Sequence, residues 1–249
     1  MFPSNRGTLP PHSYFWLRIG VLLPAGLAAC ALFFRISGLD ATLSNYFYDA
    51  EQHRFLVSTH GWIELLGHRV GKSVILGCWM MLFATAVAAP QIPGLTRHRR
   101  LIWTMVLAMA LGPVVVTLLK NINSHACPWS LKLYGGPAEY SASWFVARVE
   151  AGRCFPSGHA ACGFSIVAVA FAGAVLRRPS LCRAGLWLGI GVGAAFSILQ
   201  IAKGAHFMSH VLWAAAIDLW MAALVLSPLM APGHARALRT YSGSAAAQQ

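Results

Sequence analysis

The chain has 249 residues, of which 57% are apolar and only 10% are charged. Soluble domains usually carry about 25% charged residues, so this chain has too little charge to cover a water-exposed surface. Its 19 Lys and Arg residues outnumber its 7 Asp and Glu residues. The basic residues stand in short clusters between apolar runs, which is typical of loops that face anionic lipid head groups and argues against a nucleic-acid-binding protein.

Six apolar segments of the chain are long enough to cross a bilayer as helices. Helices are expected because hydrocarbon offers no hydrogen-bond partners to irregular backbone. The fifth segment is rich in glycine, and we still interpret it as a span because small residues allow helices to pack closely. The sequence therefore predicts an all-α fold, a polytopic membrane protein built as a six-transmembrane-helix bundle. The predicted spans are 14–34, 70–89, 101–119, 157–176, 184–202 and 208–229.

A single membrane domain is predicted over residues 14–230. The N-terminal segment 1–13 precedes an apolar run without a small-residue cleavage site, so that run is expected to be retained as a span. Within the domain, the segment 35–69 carries charges and scattered aromatic residues, and it is expected to be a loop or interfacial segment. The polar tail 231–249 is expected to be disordered.

The positions of the basic clusters predict the orientation in the membrane. Groups of Arg at residues 97–100 and 177–183 lie beside spans in loops without Asp or Glu, which is typical of the cytoplasmic side. Nearly all acidic residues fall in the other loops, 35–69 and 120–156. We therefore predict a protein of a bacterial inner membrane, with both termini in the cytoplasm. The loops with the acidic residues, together with 203–207, are predicted to face the periplasm.

Two of the six cysteines, Cys127 and Cys154, fall in the predicted outer loop between the third and fourth spans. An oxidising periplasm permits a disulfide between such residues, and two free thiols are the alternative. The other cysteines lie in predicted spans or in a cytoplasmic loop, where they are expected to stay reduced.

The strongest local motif is Arg-Cys-Phe-Pro-Ser-Gly-His-Ala at residues 153–160, where the outer loop meets the fourth span. Ser157 and Gly158 can present backbone N–H groups at a helix N-terminus, which favours an anion. His159 stands beside them, and an imidazole is suited to proton transfer near neutral pH. The alternative is a simple Pro-Ser-Gly helix cap with His159 as a chance neighbour.

A second motif, Gly-Ala-His-Phe-Met-Ser-His, covers residues 204–210 at the start of the sixth span. His206 and His210 are four residues apart, so on a helix they share one face. One imidazole can then act as a nucleophile while the other orients it. Lys203 brings positive charge to the same place. The alternative is a zinc site completed by His159 or His125, although no carboxylate lies near enough in sequence to assist.

Lys120 stands at the end of the third span. A lone Lys at such a position usually extends its ammonium group to the lipid head groups. Here, however, the ends of the third, fourth and sixth spans meet at the same predicted face and depth. Cations beside helix N-termini form a favourable site for phosphate. The three motifs together therefore favour a pocket that binds a phosphoryl group.

The three motifs resemble those of the type 2 phosphatidic acid phosphatase superfamily, whose fold has six membrane helices. Its signature is a Lys followed seven residues later by Arg-Pro, then Pro-Ser-Gly-His, then an Arg followed six residues later by His and four further on by Asp. The second motif is intact at residues 156–159, and the third keeps its His at His206. The first keeps Lys120 and Pro128. The resemblance covers about residues 70–230.

The resemblance implies a role for each matching residue. The superfamily's His at the position of His206 takes the phosphoryl group, and its His at the position of His159 protonates the leaving group. Lys120 matches a phosphate ligand. The superfamily's two Arg residues and its Asp are replaced here by Cys127, Gln200 and His210.

Other residues are expected to compensate for these replacements. A neutral His210 can accept a hydrogen bond from His206 and so keep a catalytic role, but it cannot stabilise a charged imidazole as Asp would. Two nearby cations and the backbone at the start of the fourth span are expected to replace the missing Arg residues. The expected phosphate-binding residues are thus Lys120, Arg153, Ser157, Gly158 and Lys203.

The implied function is that of a lipid phosphatase that uses neither a metal nor a cofactor. Its expected partners are the bilayer and a phosphorylated membrane lipid, such as lipid A, undecaprenyl pyrophosphate or a phospholipid. The reaction would pass through a phosphohistidine at the outer face. A lipid phosphotransferase of the same fold is one alternative, and an inactive scaffold is another because two Arg and one Asp are missing. A transporter is disfavoured because the cations cluster at one face and not at the midplane.

Overall fold

The computed structural model describes residues 12–57, 70–123, 125–141, 143 and 153–230. Six helices in these ranges are long and apolar enough to cross a membrane, and the predicted six-helix, all-α membrane fold is confirmed. A seventh, short helix follows the first span. In chain order the helices are α1 (Trp16–Ile36), α2 (Leu39–Asn45), α3 (Gly71–Ala88), α4 (Arg99–Ile122), α5 (Gly158–Val175), α6 (Pro179–Ala202) and α7 (Met208–Met230).

Two of the predicted boundaries are corrected by the structure. Helix α6 begins at Pro179 and not at 184, because Pro179 occupies its first turn, where a fixed φ and a missing N–H favour helix initiation. Helix α4 continues to Ile122 and not 119, so Lys120 belongs to its last turn. The terminal segments 1–11 and 231–249 and the residues 58–69 lie outside the described part of the chain.

Helix α7 is the centre of the bundle. It packs against α1, α4 and α5, and the main core cluster includes Phe171 of α5 and Leu226 of α7, both fully buried. Helix α3 is peripheral and rests on α4, where the indole N–H of Trp79 donates to the Val106 carbonyl at 3.0 Å. The ends of α4, α5 and α7 that carry Lys120, Gly158 and Met208 therefore meet at one end of the bundle, which we call the site end.

Glycines allow α5 and α6 to approach closely, which is the reason for interpreting the fifth apolar segment as a span. A Cβ atom at Gly163 would lie only 2.7 Å from the Cα atom of Gly193. Likewise, a Cβ atom at Gly189 would lie 2.7 Å from the backbone nitrogen of Val167. Along this helix pair the two backbones are therefore in direct contact, where larger residues would interdigitate their side chains.

A small non-helical layer covers the site end. Strands β1 (Tyr48–Asp49) and β2 (Arg54–Phe55) form an antiparallel hairpin in which Tyr48 pairs with Phe55. Two 3-10 turns, Pro128–Ser130 and Lys132–Tyr134, follow α4. Side chains from both segments and from the start of α7 bury one another, and this cluster contains Phe55, Ala126, Leu131, Tyr134 and Phe207.

Candidate active site

A disulfide joins Cys127 and Cys154 at the site end, with Cα atoms 5.2 Å apart. The Cys154 amide also donates to the His125 carbonyl at 3.0 Å. The loop that leaves α4 is therefore tied to the segment that enters α5. Cys127 stands where the superfamily has an Arg. Because its side chain forms the disulfide, this position here stabilises the loops around the site.

Helix α5 begins at Gly158, and Ser157 is its N-cap. The Ser157 hydroxyl accepts from the Ala160 amide at 3.4 Å, while the Ser157 amide donates to the His210 carbonyl at 3.1 Å. This amide is therefore engaged within the protein. The first amide within the helix is that of Gly158, and helix-start amides point away from the helix without intrahelical acceptors. Gly158 is thus the first position of the predicted anion site.

Lys120 reaches this helix start from the last turn of α4. Its ammonium nitrogen is 3.8 Å from the position that a Cβ atom on Gly158 would occupy. A fixed positive charge therefore lies beside the positive end of the α5 helix dipole, and an anion placed between them would interact favourably with both. The structure brings together these two predicted phosphate-binding positions, which are 38 residues apart in sequence.

His206 lies on the turn between α6 and α7 and is buried, with 4% of its surface exposed. The turn depends on Gly204, which has a φ of +71°. It is closed by the Gln200 carbonyl, which accepts from the Ala205 amide at 2.9 Å and the His206 amide at 3.3 Å. Gln200 stands where the superfamily motif has an Arg. The contribution seen here is that of its backbone carbonyl, which closes the turn, and position 200 carries no charge.

The charge state of His206 follows from its surroundings. Burial, followed by the nearby charge of Lys120, lowers the pKa of His206 to about 3. The imidazole is therefore neutral near pH 7, as a nitrogen nucleophile must be. Its Nδ1 atom is buried and has no hydrogen-bond partner among the described residues.

The predicted hydrogen bond between His206 and His210 is wrong. Helix α7 begins at Met208, so His206 precedes the helix and does not share a face of it with His210. The two rings meet edge to face with centroids 5.9 Å apart, and His210 makes no hydrogen bond to His206. His210 is enclosed by the rings of Phe155, Phe207 and His125. Its ring packs against the ring of His206.

His159 is the second residue of α5 and is half-buried. This placement puts it beside Gly158, whose position is within reach of Lys120. The Nε2 atom of His159 is buried, and its role as a proton donor stays a prediction.

Arg153 and Lys203, the other two predicted phosphate-binding cations, contact side chains at the end of α4 and in the loop that follows it. Arg153 is exposed, and its Nη1 atom donates to Asn121 Oδ1 at 3.5 Å, next to Lys120 in sequence. The Lys203 ammonium lies over the Trp129 ring at 5.7 Å from its centroid. Both cations contact other side chains, and their role in binding phosphate stays a prediction.

Asp40 and Arg35 are buried charged residues that the sequence analysis assigned no role. Asp40 of α2 accepts from the Ser209 amide at 2.9 Å and also from the Ser209 hydroxyl. Burial raises the pKa of Asp40, and these two hydrogen bonds oppose that shift. Arg35 donates to the Ser141 carbonyl at 2.7 Å and has Nη1 3.4 Å from His125 Nδ1. No local pattern could have revealed the Asp40 contact, because 169 residues separate it from Ser209.

Lys72 of α3 is a further cation that the sequence analysis missed. It is half-buried, and its charge acts on both Lys120 and His206. Its position near the start of a span is typical of a Lys that extends to the head groups, so the sequence pattern carried no specific signal.

The zinc alternative gains no support from the geometry. Within the ranges that the structure describes, no three His, Cys, Asp or Glu residues are arranged to hold a metal ion. The rings of His206, His210 and His125 are neighbours, but they meet edge to face.

Comparison with known proteins gives one family match. The sequence model of the PAP2 superfamily matches residues 101–230, which is slightly more than half of the chain. This range contains all the predicted site residues, from Lys120 to His210. No curated protein and no solved structure matches the chain.

Proposed function

Because the chain belongs to the PAP2 superfamily, whose members are generally phosphatases, we propose that it is an integral-membrane lipid phosphatase that works through a phosphohistidine. The observation that supports this proposal most is the arrangement of residues at the site end. A buried, neutral His206 lies within the electrostatic reach of Lys120, and Lys120 stands at the start of α5. This arrangement supports a nucleophile next to a position that favours a phosphate group.

In the proposed first step, a ring nitrogen of His206 attacks phosphorus opposite the lipid oxygen. The bond between phosphorus and nitrogen forms as the bond between phosphorus and the lipid oxygen breaks. His159 donates a proton to the departing oxygen, so the lipid leaves as an alcohol, or as a monophosphate if the substrate is a pyrophosphate. Lys120 and the first amides of α5 stabilise the negative charge on the phosphoryl oxygens.

In the second step, water attacks the phosphorus of the phosphohistidine. His159, now neutral, accepts a proton from that water, and the bond between phosphorus and nitrogen breaks. Inorganic phosphate leaves and the neutral His206 is restored. A lipid phosphotransferase would share the first step, with the hydroxyl group of a second lipid in place of water.

The proposed location is a bacterial inner membrane, with the site end at the periplasm and both termini in the cytoplasm. The disulfide between Cys127 and Cys154 supports this orientation, because disulfides persist in oxidising compartments. Cys182 near the start of α6, at the opposite end of the bundle, is a free thiol. The proposed substrate is a membrane lipid phosphate of the lipid A, undecaprenyl pyrophosphate or phospholipid class, since the site lies where spans end.

Phosphate release from a panel of these lipids tests the proposal. Purified protein in nanodiscs is assayed with EDTA present, beside His206→Ala and the control His53→Ala at an exposed position. Activity is expected to survive EDTA and the control, and to be lost in His206→Ala. A substrate labelled on phosphorus should give an acid-labile, alkali-stable protein adduct in the parent protein only. Turnover that persists in His206→Ala, or turnover that EDTA abolishes, would refute this mechanism. Transfer of phosphate from one lipid to another, without release of free phosphate, would identify a phosphotransferase.

A further inference from the structure

A cavity of about 250 Å³ lies between α3, α4 and α5, within the membrane-spanning part of the bundle. Its walls are almost entirely apolar. They include Ile75 and Trp79 of α3, Met109 and Pro113 of α4, and Cys162 of α5. Lys72 is the one charged residue among the described residues that line it.

The charged end of the cavity adjoins the catalytic end of α5. Cys162 follows His159 by three residues, about one helical turn. The charge of Lys72 is close enough to act on both Lys120 and the His206 imidazole. Lys72 therefore belongs to the lining of the cavity and lies within electrostatic reach of the proposed phosphate site.

The other end of the cavity reaches into the membrane. Lys72 and Trp79 are seven residues apart on α3, a distance of about 10 Å along a helix. Trp79 lines this part of the cavity, and its indole N–H donates to the Val106 carbonyl at 3.0 Å, which fixes the ring. An apolar cavity with one cation at its mouth complements a molecule that has an anionic head and a hydrocarbon tail.

We propose that this cavity binds an acyl chain of the phospholipid substrate while Lys72 pairs with the phosphate of the same lipid. The inference rests on the proposed function and extends it to a part of the chain outside the three motifs. It also explains how the site can lose two Arg residues of those motifs. Cys127 is used in a disulfide and Gln200 acts through its backbone, whereas Lys72 supplies positive charge from α3.

Photo-crosslinking in a variant that cannot turn over tests this inference separately from catalysis. His206→Ala protein in nanodiscs is irradiated with a long-chain phosphatidic acid that carries a diazirine in its acyl chain. Labelling is expected to concentrate on peptides of α3 and α4 that line the cavity. Phosphatidylcholine with the same chain is the control, and it should label the lipid-facing surface without this preference.

Variants of α3 then test separately the Lys72 cation and the apolar part of the cavity. Lys72→Gln and Ile75→Trp, the second of which fills the cavity, should each lower the cavity labelling at least tenfold. Val74→Trp is the matched control, since Val74 neighbours Ile75 but is 58% exposed and does not line the cavity. Equal labelling by the two lipids, or labelling that Lys72→Gln and Ile75→Trp leave unchanged, would overturn the inference even if the protein is a phosphatase.

Kinetics of the parent protein and the same variants provide a second readout. Lys72→Gln should raise KM for long-chain phosphatidic acid by roughly ten- to a hundredfold, the size of a hydrogen bond to a charged group. Ile75→Trp should lower the ratio of kcat/KM for a long-chain lipid to that for a water-soluble phosphomonoester by at least tenfold. An unchanged ratio in Ile75→Trp would contradict the placement of the acyl chain.

Discussion

The Lys120 ammonium lies 3.8 Å from the point where a side chain at Gly158 would begin, so the end of α4 supplies a cation to the start of α5. A Cβ atom at position 158 would be in van der Waals contact with this side chain. The contact joins the first and second sequence motifs of the superfamily. It also places the fixed charge on the side of the helix dipole that attracts anions.

Removal of the Lys120 charge should therefore impair catalysis more than folding. Lys120→Met is expected to lower kcat/KM for phosphate release by roughly 10²–10³-fold, as loss of one donor to a developing oxyanion does elsewhere. Lys132→Met is the control, because Lys132 forms an exposed ion pair with Glu139, and such pairs contribute little. Comparable rates for Lys120→Met and the parent protein would remove Lys120 from the phosphate site.

The six spans and the meeting of Lys120, His159 and His206 at one end could be predicted from the sequence, because hydropathy locates span ends and the motifs stand there. The relation of His206 to His210 could not, because a helix was assumed to include both residues and α7 begins only at Met208. Asp40 and Ser209 are too far apart in sequence for any periodicity to connect them. Lys72 was hidden by its resemblance to an ordinary Lys at a membrane boundary.

The disulfide should contribute measurably to stability. Cys127 and Cys154 are 27 residues apart, and closing a loop of that length constrains the unfolded chain by about 3–4 kcal/mol. Cys127→Ser, Cys154→Ser and reduction of the parent protein are each expected to lower Tm. Cys30→Ser, which removes an exposed free thiol on α1, is the control. Equal Tm values with and without reductant would argue that the bond is unimportant for the folded state.

Burial of His206 should make the protein less stable in acid. The pKa of His206 is about 3 in the folded protein and near 6.5 when the side chain is free, so only the unfolded chain binds this proton between those values. The contribution is fully present above pH 6.5 and declines as the pH falls toward 3. Tm measured from pH 7 to pH 4 should fall less steeply in His206→Gln than in the parent protein. Identical slopes would show that His206 is not buried as a neutral group.

The close approach of α5 and α6 should be sensitive to a single methyl group. Gly193→Ala would place a Cβ atom against the Phe164 ring, whereas Gly191→Ala on the same helix would meet nothing within 4 Å. Overpacking at position 193 is expected to cost about 1–3 kcal/mol and to lower Tm. Gly191→Ala should keep Tm or raise it, because Ala favours helices. A tolerated Gly193→Ala would mean that the two helices can separate without cost.

Restoring the superfamily's Asp at position 210 should not restore its usual role in this chain. His210 has 1% of its surface exposed and is surrounded by the rings of Phe155, Phe207 and His125. A carboxylate there would be buried among aromatic rings, and burying a charge typically costs several kcal/mol unless it is directly paired. His210→Asp is therefore expected to lower Tm and folding yield more than the neutral His210→Asn, and to give no gain in kcat. A well-folded His210→Asp variant with higher kcat would show instead that a carboxylate at this position reaches His206, and that the packing of the rings is not what orients the nucleophile.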